Sequence, residues 1–144
     1  QLVKHNYFDN QLFYRVNPGF VAQFGSSDKK MIDHWSSIEV PDEAVVQGNE
    51  KGTLSFGRGG PNSRTTELYL NLSDNHRLDT IFYNDVKGFP TFGKVKKGMH
   101  IVEALYSGYA DTTMDTLHLM YTDRERFLTL FPKLDTLHHV SIIK

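Results

Sequence analysis

What most constrains the fold of this chain is a succession of short apolar or alternating runs, each of strand length and most of them closed by a turn signal. They are Leu12 to Val16, Gly19 to Phe24, Thr53 to Phe56, Glu67 to Leu72, Thr91 to Val95 and His138 to Ile143. Aromatic and β-branched side chains are frequent in them, as a pleated, half-buried surface requires. The breaks are Asn17-Pro18-Gly19, Gly59-Gly60-Pro61-Asn62 and Lys97-Gly98, residue types that terminate ladders and build turns. Many short strands punctuated in this way predict an antiparallel barrel or sandwich. Two helical stretches interrupt them. Met99 to Tyr106 places Ile101, Val102 and Leu105 on one face, and Asp123 to Phe131 groups Phe127, Leu128 and Phe131. Leu2, Val3, Tyr7 and Phe8 have the spacing of the last turns of a helix. The mostly polar segment from Ser26 to Glu50 predicts a long excursion with little regular structure, of the kind that often borders a site.

Several function classes are excluded or disfavoured at this level. The 144 residues fit one domain, with no internal repeat or low-complexity linker. The balance of 16 Lys+Arg against 17 Asp+Glu leaves no net field to attract nucleic acid or a membrane surface, so a roughly neutral partner is expected. The absence of Cys removes disulfides, thiol nucleophiles and thiolate metal sites, and it leaves the compartment open. No apolar run approaches the roughly 18 residues of a membrane span, and the opening QLVKHNYFDN lacks the regions of a signal peptide. The seven His form no His-Glu-x-x-His pair, and His138 and His139 fall on opposite faces of an expected strand, so neither metal nor cofactor is expected. Gly57-Arg58-Gly59-Gly60 is followed by Pro61 instead of the Gly-Lys-Ser/Thr ending and helix of a phosphate loop. No nucleophile elbow is present.

The segment Phe13-Tyr14-Arg15-Val16-Asn17-Pro18-Gly19-Phe20-Val21-Ala22-Gln23 stands out as strand, turn and strand with one Arg inside apolar alternation. Alternation places Phe13 and Arg15 on one face, so Arg15 either snorkels from a sheet surface or is held for a purpose. This segment resembles the F-x-R-x-x-P-G-F-x-x-Q block of cyclophilins. Gly52 to Asn71 is similar to their G-x-x-S-x-A-x-x-x-P-N-[ST] … S-Q-F-F-I block. Leu78-Asp79 and Phe92-Gly93-Lys94-Val95-Lys96-Lys97-Gly98-Met99 resemble the block that follows. The order and spacing match over nearly the whole chain, and Ser107-Gly108-Tyr109 and Phe131-Pro132-Lys133-Leu134-Asp135 look similar to a bacterial-type branch.

The resemblance implies a mainly β fold, a cyclophilin-like antiparallel β-barrel with flanking helices. Cyclophilins begin with two strands and a helix that here survives only as its end, so residues 1–144 are expected to form a single isomerase domain incomplete at the N-terminus. The closing run His138 to Ile143 is then expected to be a strand left with an apolar edge. The implied activity is peptidyl-prolyl cis-trans isomerisation assisting protein folding, without cofactor. The alternatives are a proline-peptide binding module that has lost turnover and a scaffold without activity. Implied partners are proline-containing peptides and unfolded proteins, with cyclosporin bound weakly.

Carried over residue by residue, Arg15 matches the catalytic arginine and Gln23 the glutamine that positions it. Phe20, Val21, Tyr69, Leu78 and Phe89 fall at the proline pocket, and Gly57, Arg58 and Gly59 at the stretch whose backbone holds the preceding residue. Glu67 takes the place of a usual Gln and Arg77 that of a Trp, departures that bear on substrate preference and cyclosporin affinity. Glu67 is expected at the groove rim, where it would pair with Arg15, favour a basic residue upstream of proline, or stay solvated.

Overall fold

The computed structural model describes residues 1–143 except 28 and 39. Its centre is a five-stranded antiparallel sheet in the order β2-β3-β5-β4-β8. β2 (Arg15–Val16) and β3 (Val21–Phe24) form a hairpin. β5 (Leu68–Asn71) lies between β3 and β4 (Thr53–Phe56), and β8 (Thr91–Lys94) pairs with β4. Alternation sets which side chains share a face: in β3 Val21 and Gln23 point one way, and Ala22 and Phe24 the other. Ala22 and Phe24 join Phe8, Phe13, Val16 and Leu68 in the main core, with Tyr7 and Trp35. A second core forms where Leu12 and Tyr14 meet Met120, Phe127 and Phe131.

The expected barrel is corrected to an open sheet. The outer edge of β8 pairs with no strand among the described residues, and β1 (Gln11–Leu12) with β9 (Thr136–Leu137) makes a separate two-stranded ladder. The run from Leu12 to Val16 is therefore two strands. Phe13 N–H donates to Asp135 O at 3.0 Å, and after buried Phe13 and Tyr14 the chain turns to pair Arg15 with Gln23. The closing run is not a strand either: 138–143 lie beyond β9 without regular structure, and Ile142 and Ile143 are exposed. Asp9 explains the break. Its carboxylate accepts from Val140 N–H at 3.3 Å and meets His139 Nδ1 at 2.9 Å, taking up a donor that a continued ladder would need.

The segment from Ser26 to Glu50 is not wholly irregular, because α1 (Lys29–Ser36) lies within it. Buried Trp35 anchors that helix, its ring edge-on to Tyr7 at 6.2 Å. α2 (Arg77–Thr80) precedes the small hairpin β6 (Phe82–Tyr83) and β7 (Val86–Lys87). The predicted helices are shorter than their apolar faces suggest: α3 covers Met99–Glu103, and α5 covers Arg124–Leu130 after the single turn α4 (Leu119–Thr122). The Asp123 carboxylate caps α5 by accepting from Arg126 N–H at 3.1 Å. The start of the chain is a 3-10 turn over Val3–His5. Among the described residues no helix is long and apolar enough to cross a membrane.

Candidate active site

The β2-β3 hairpin sets the centre of the site. Asn17-Pro18-Gly19 turns the chain with Gly19 at φ +76°, and the register then places Arg15 opposite Gln23. Arg15 Nη1 donates to Gln23 Oε1 at 2.6 Å, and Nε donates to Asp111 Oδ1 at 2.6 Å. Asp111 is itself fixed by Asn17 Nδ2, which donates to Oδ2 at 2.8 Å. The hydrogen bond from Arg15 holds the Asp111 carboxyl below its usual range. The guanidinium lies 5.4 Å from the centre of the Phe20 ring. Its remaining nitrogen, Nη2, has no hydrogen-bond partner among the described residues and is left as a positioned donor.

The apolar wall beside Arg15 is a third cluster, in which Val21, Tyr69 and Leu78 are buried and Phe20, Ile81 and Phe89 pack against them. Val21 comes from β3, Tyr69 from β5 and Leu78 from α2. Tyr69 does not swing freely, because its hydroxyl donates at 2.9 Å to Oδ1 of the fully buried Asn49. Asn49 is gripped in turn: its backbone N–H and its Nδ2 donate to Asp79 Oδ1 at 2.8 and 2.7 Å, and Nδ2 also reaches Phe89 O at 2.9 Å. The Tyr69 ring and the backbone of Phe89 are thus tied to one asparagine.

Arg58 brings a side chain to the groove as well as a backbone. Its side chain is buried, and the guanidinium donates to the backbone carbonyls of Tyr83, Val86 and Gly88 at 2.9, 3.0 and 2.6 Å. Its centre sits 4.2 Å from that of the Phe89 ring. It is a strut that fixes the β6-β7 hairpin against the groove, and burial pulls its pKa down. Gly88 permits the close return, since at φ +71° an added Cβ would lie 2.6 Å from Asp79 O.

Glu67 lies in the same groove lining. It is half-buried and forms no ion pair with Arg15; Tyr121 OH donates to its Oε1 at 3.4 Å, and Tyr14 is its second hydrogen-bond partner. Burial raises its carboxyl above the usual value, against the opposing pull of those two hydroxyls. Tyr14, fully buried, lies between Glu67 and Gln23, whose Nε2 reaches its hydroxyl at 3.5 Å.

These residues line one groove of about 480 Å³, bounded by Arg15, Phe20, Val21, Gln23, Gly57, Arg58, Gly59, Glu67, Tyr69, Leu78 and Phe89. Every site residue singled out from the sequence therefore falls in one place. Arg77, Ile81, Tyr83 and Met114 complete the lining, and Asp111 stands behind Arg15. Asp111 lies 96 positions from Arg15 in a stretch without pattern, and only the fold brings it there. Among the described residues no three His, Asp or Glu side chains form a group that could hold a metal.

The sequence profile of the family described as "Cyclophilin type peptidyl-prolyl cis-trans isomerase/CLD" matches residues 1–121. The chain belongs to this family. A peptidyl-prolyl cis-trans isomerase of Acinetobacter baylyi is 32% identical over 105 residues, covering 72% of this chain and 55% of the relative. Peptidyl-prolyl cis-trans isomerase A of Dickeya dadantii is 33% identical over 105 residues, covering 72% and 54%. The chain thus spans about half the length of these curated relatives. A crystal structure of a Cryptosporidium parvum cyclophilin, determined in the presence of the dipeptide Ala-Pro, shares the fold at a TM-score of 0.58 and 22% identity. That match covers 76% of this chain and 70% of the other.

Proposed function

We propose that this cyclophilin-family chain catalyses cis/trans rotation about X-Pro bonds in peptides and unfolded segments. The observation that carries the proposal is Arg15, held on two sides by Gln23 and Asp111, with a free Nη2 beside an apolar pocket. Amide resonance sets the rotation barrier at about 18–20 kcal/mol, while the two isomers differ by only about 0.5–1 kcal/mol. The chemistry needs no nucleophile or redox partner. Twisting the bond breaks resonance and leaves a lone pair on the prolyl nitrogen, which a fixed donor can hydrogen-bond in the twisted state but not in either planar one. Arg15 supplies that donor. Val21, Tyr69, Leu78 and Phe89 hold the ring in a pocket of low dielectric while the preceding carbonyl swings. The dipeptide Ala-Pro used with the Cryptosporidium parvum relative is the smallest ligand of this class. Cyclosporin is a weaker ligand on this reading, because Arg77 stands where the better-known members of the family have Trp.

The test is two-dimensional NMR exchange on an Ala-Pro tetrapeptide, which needs no coupling protease. The parent chain is expected to accelerate exchange. Arg15→Lys and Arg15→Ala are expected to lose about 10²–10³ in kcat/KM, the cost of removing one preorganised donor, because neither a methyl group nor a point ammonium reproduces the planar fork that bonds Asp111 and Gln23 from two nitrogens and presents a third. Unchanged catalysis in either variant would remove Arg15 from the mechanism. Binding by the parent without acceleration would favour the binding-module reading.

A further inference from the structure

The charges at the groove are lopsided. Arg15, Arg58, Glu67 and Arg77 are the Arg, Lys, Asp and Glu residues that line it. Arg15 is engaged by Asp111 and Gln23, and Arg58 is spent on three backbone carbonyls. Glu67 is engaged by Tyr121 and Tyr14. Arg77 differs from all three: it is exposed at the start of α2 and has no hydrogen bond or ion pair from its side chain among the described residues. The neighbouring acid Asp79 is turned toward Asn49, with His76 at 3.6 Å. The mouth of the groove thus presents a guanidinium with no counter-charge of its own.

Its position relative to the pocket makes that charge usable. Leu78, the next residue, is buried in the apolar wall, so the backbone that anchors the wall also carries Arg77. Consecutive Cα atoms are about 3.8 Å apart, in the peptide as in the protein. A proline ring seated on Leu78 therefore brings the side chains of its near neighbours within reach of a long Arg.

We propose that Arg77 is a specificity-determining residue that selects X-Pro peptides bearing a carboxylate side chain within two residues of the proline. The inference rests on the isomerase reading of the groove. It reverses the basic preference that a rim-facing Glu67 would give, because that half-buried carboxyl is engaged by Tyr121 and the charge without a partner at the mouth is positive. A guanidinium pairs with carboxylate through two parallel hydrogen bonds as well as by charge.

The experiment is NMR exchange on matched peptides with Glu, Gln or Lys at each position within two residues of the proline, at low and high salt, for the parent, Arg77→Gln and Arg77→Glu. At one or more positions the parent is expected to favour Glu over Gln, and Gln over Lys, by about two- to fivefold, the size of an exposed ion pair. High salt should compress the series. Arg77→Gln should flatten it and Arg77→Glu invert it. A parent without preference at any position, or a preference that survives both substitutions, overturns the proposal. A parent that accelerates none of the peptides refutes the isomerase reading instead. In that case chemical-shift titration of the same peptides gives the Kd ratios, and the same order and inversion are required.

Discussion

Arg15 and Gln23 are directly opposed across the β2-β3 ladder, and Arg15 Nη1 donates to Gln23 Oε1 at 2.6 Å. The register of a two-residue strand therefore fixes the guanidinium before any ligand arrives. A slip of one residue would turn Arg15 to the other face of the sheet. Asp111 adds a restraint from the far side of the chain, so the planar group is clamped at Nε and Nη1 and open at Nη2.

Asp111 is accordingly a positioning residue. Asp111→Ala is expected to lower kcat/KM by about tenfold or more, since small misplacement of a reacting group is costly. Asp111→Asn, which keeps an acceptor for Nε, should recover much of the loss. The Asp111 side chain is 55% exposed, so urea midpoints should move little, by less than about 1 kcal/mol of stability. Kinetics of both variants alongside unfolding curves check this. Equal activity in Ala and Asn variants, or a large stability loss in step with activity, would mean that the pair is structural.

Arg58 should matter for stability before it matters for chemistry. Arg58→Met keeps much of the aliphatic volume over Phe89 but leaves the carbonyls of Tyr83, Val86 and Gly88 without their shared donor. The expected cost is about 2–4 kcal/mol, a few hydrogen bonds to a charged group. Hydrogen exchange locates it. Gly88 N–H donates to Ile81 O and Phe89 N–H to Leu78 O, both at 2.8 Å, and these amides should lose protection while those of β3 and β5 keep theirs. Uniform loss across the sheet would contradict a local strut.

What the sequence disclosed and what it hid divide along physical lines. Thr53–Phe56 forms a strand over the predicted residues because alternation is a local property, and Arg15 and Gln23 were legible because one hairpin holds both. α1 was hidden because Met31, Ile32 and Trp35 are its only strongly apolar residues, and the helix is held by Trp35 packing on Tyr7. The run 138–143 has a strand's composition, yet Asp9 intercepts the backbone of Val140. Arg58 among glycines reads as a loop residue, and nothing local indicates that three carbonyls converge on it. Asp111 and the open edge of β8 depend on contacts between distant segments, about which periodicity is silent.

Glu67 carries the last prediction, one in which pH decides the sign. Burial raises its folded-state carboxyl above the ordinary value, while hydrogen bonds from Tyr121 and Tyr14 pull the other way without cancelling the shift. Below the unfolded value of about 4.3, both states hold the proton and the group is neutral with respect to folding. As pH rises through that value the unfolded chain releases its proton first and the folded chain retains it, so the folded state binds more protons and stability falls. The fall is complete once the pH passes the raised folded value, and it persists to neutral pH. Glu67→Gln removes the ionisation and leaves an amide that can still meet both hydroxyls. Urea unfolding of parent and variant across this range should show a higher midpoint for the variant near neutral pH, with the gap closing as pH drops toward about 4. A gap independent of pH would trace the difference to packing. A parent more stable than the variant at neutral pH would mean that the two tyrosines hold the anion more strongly than burial opposes it.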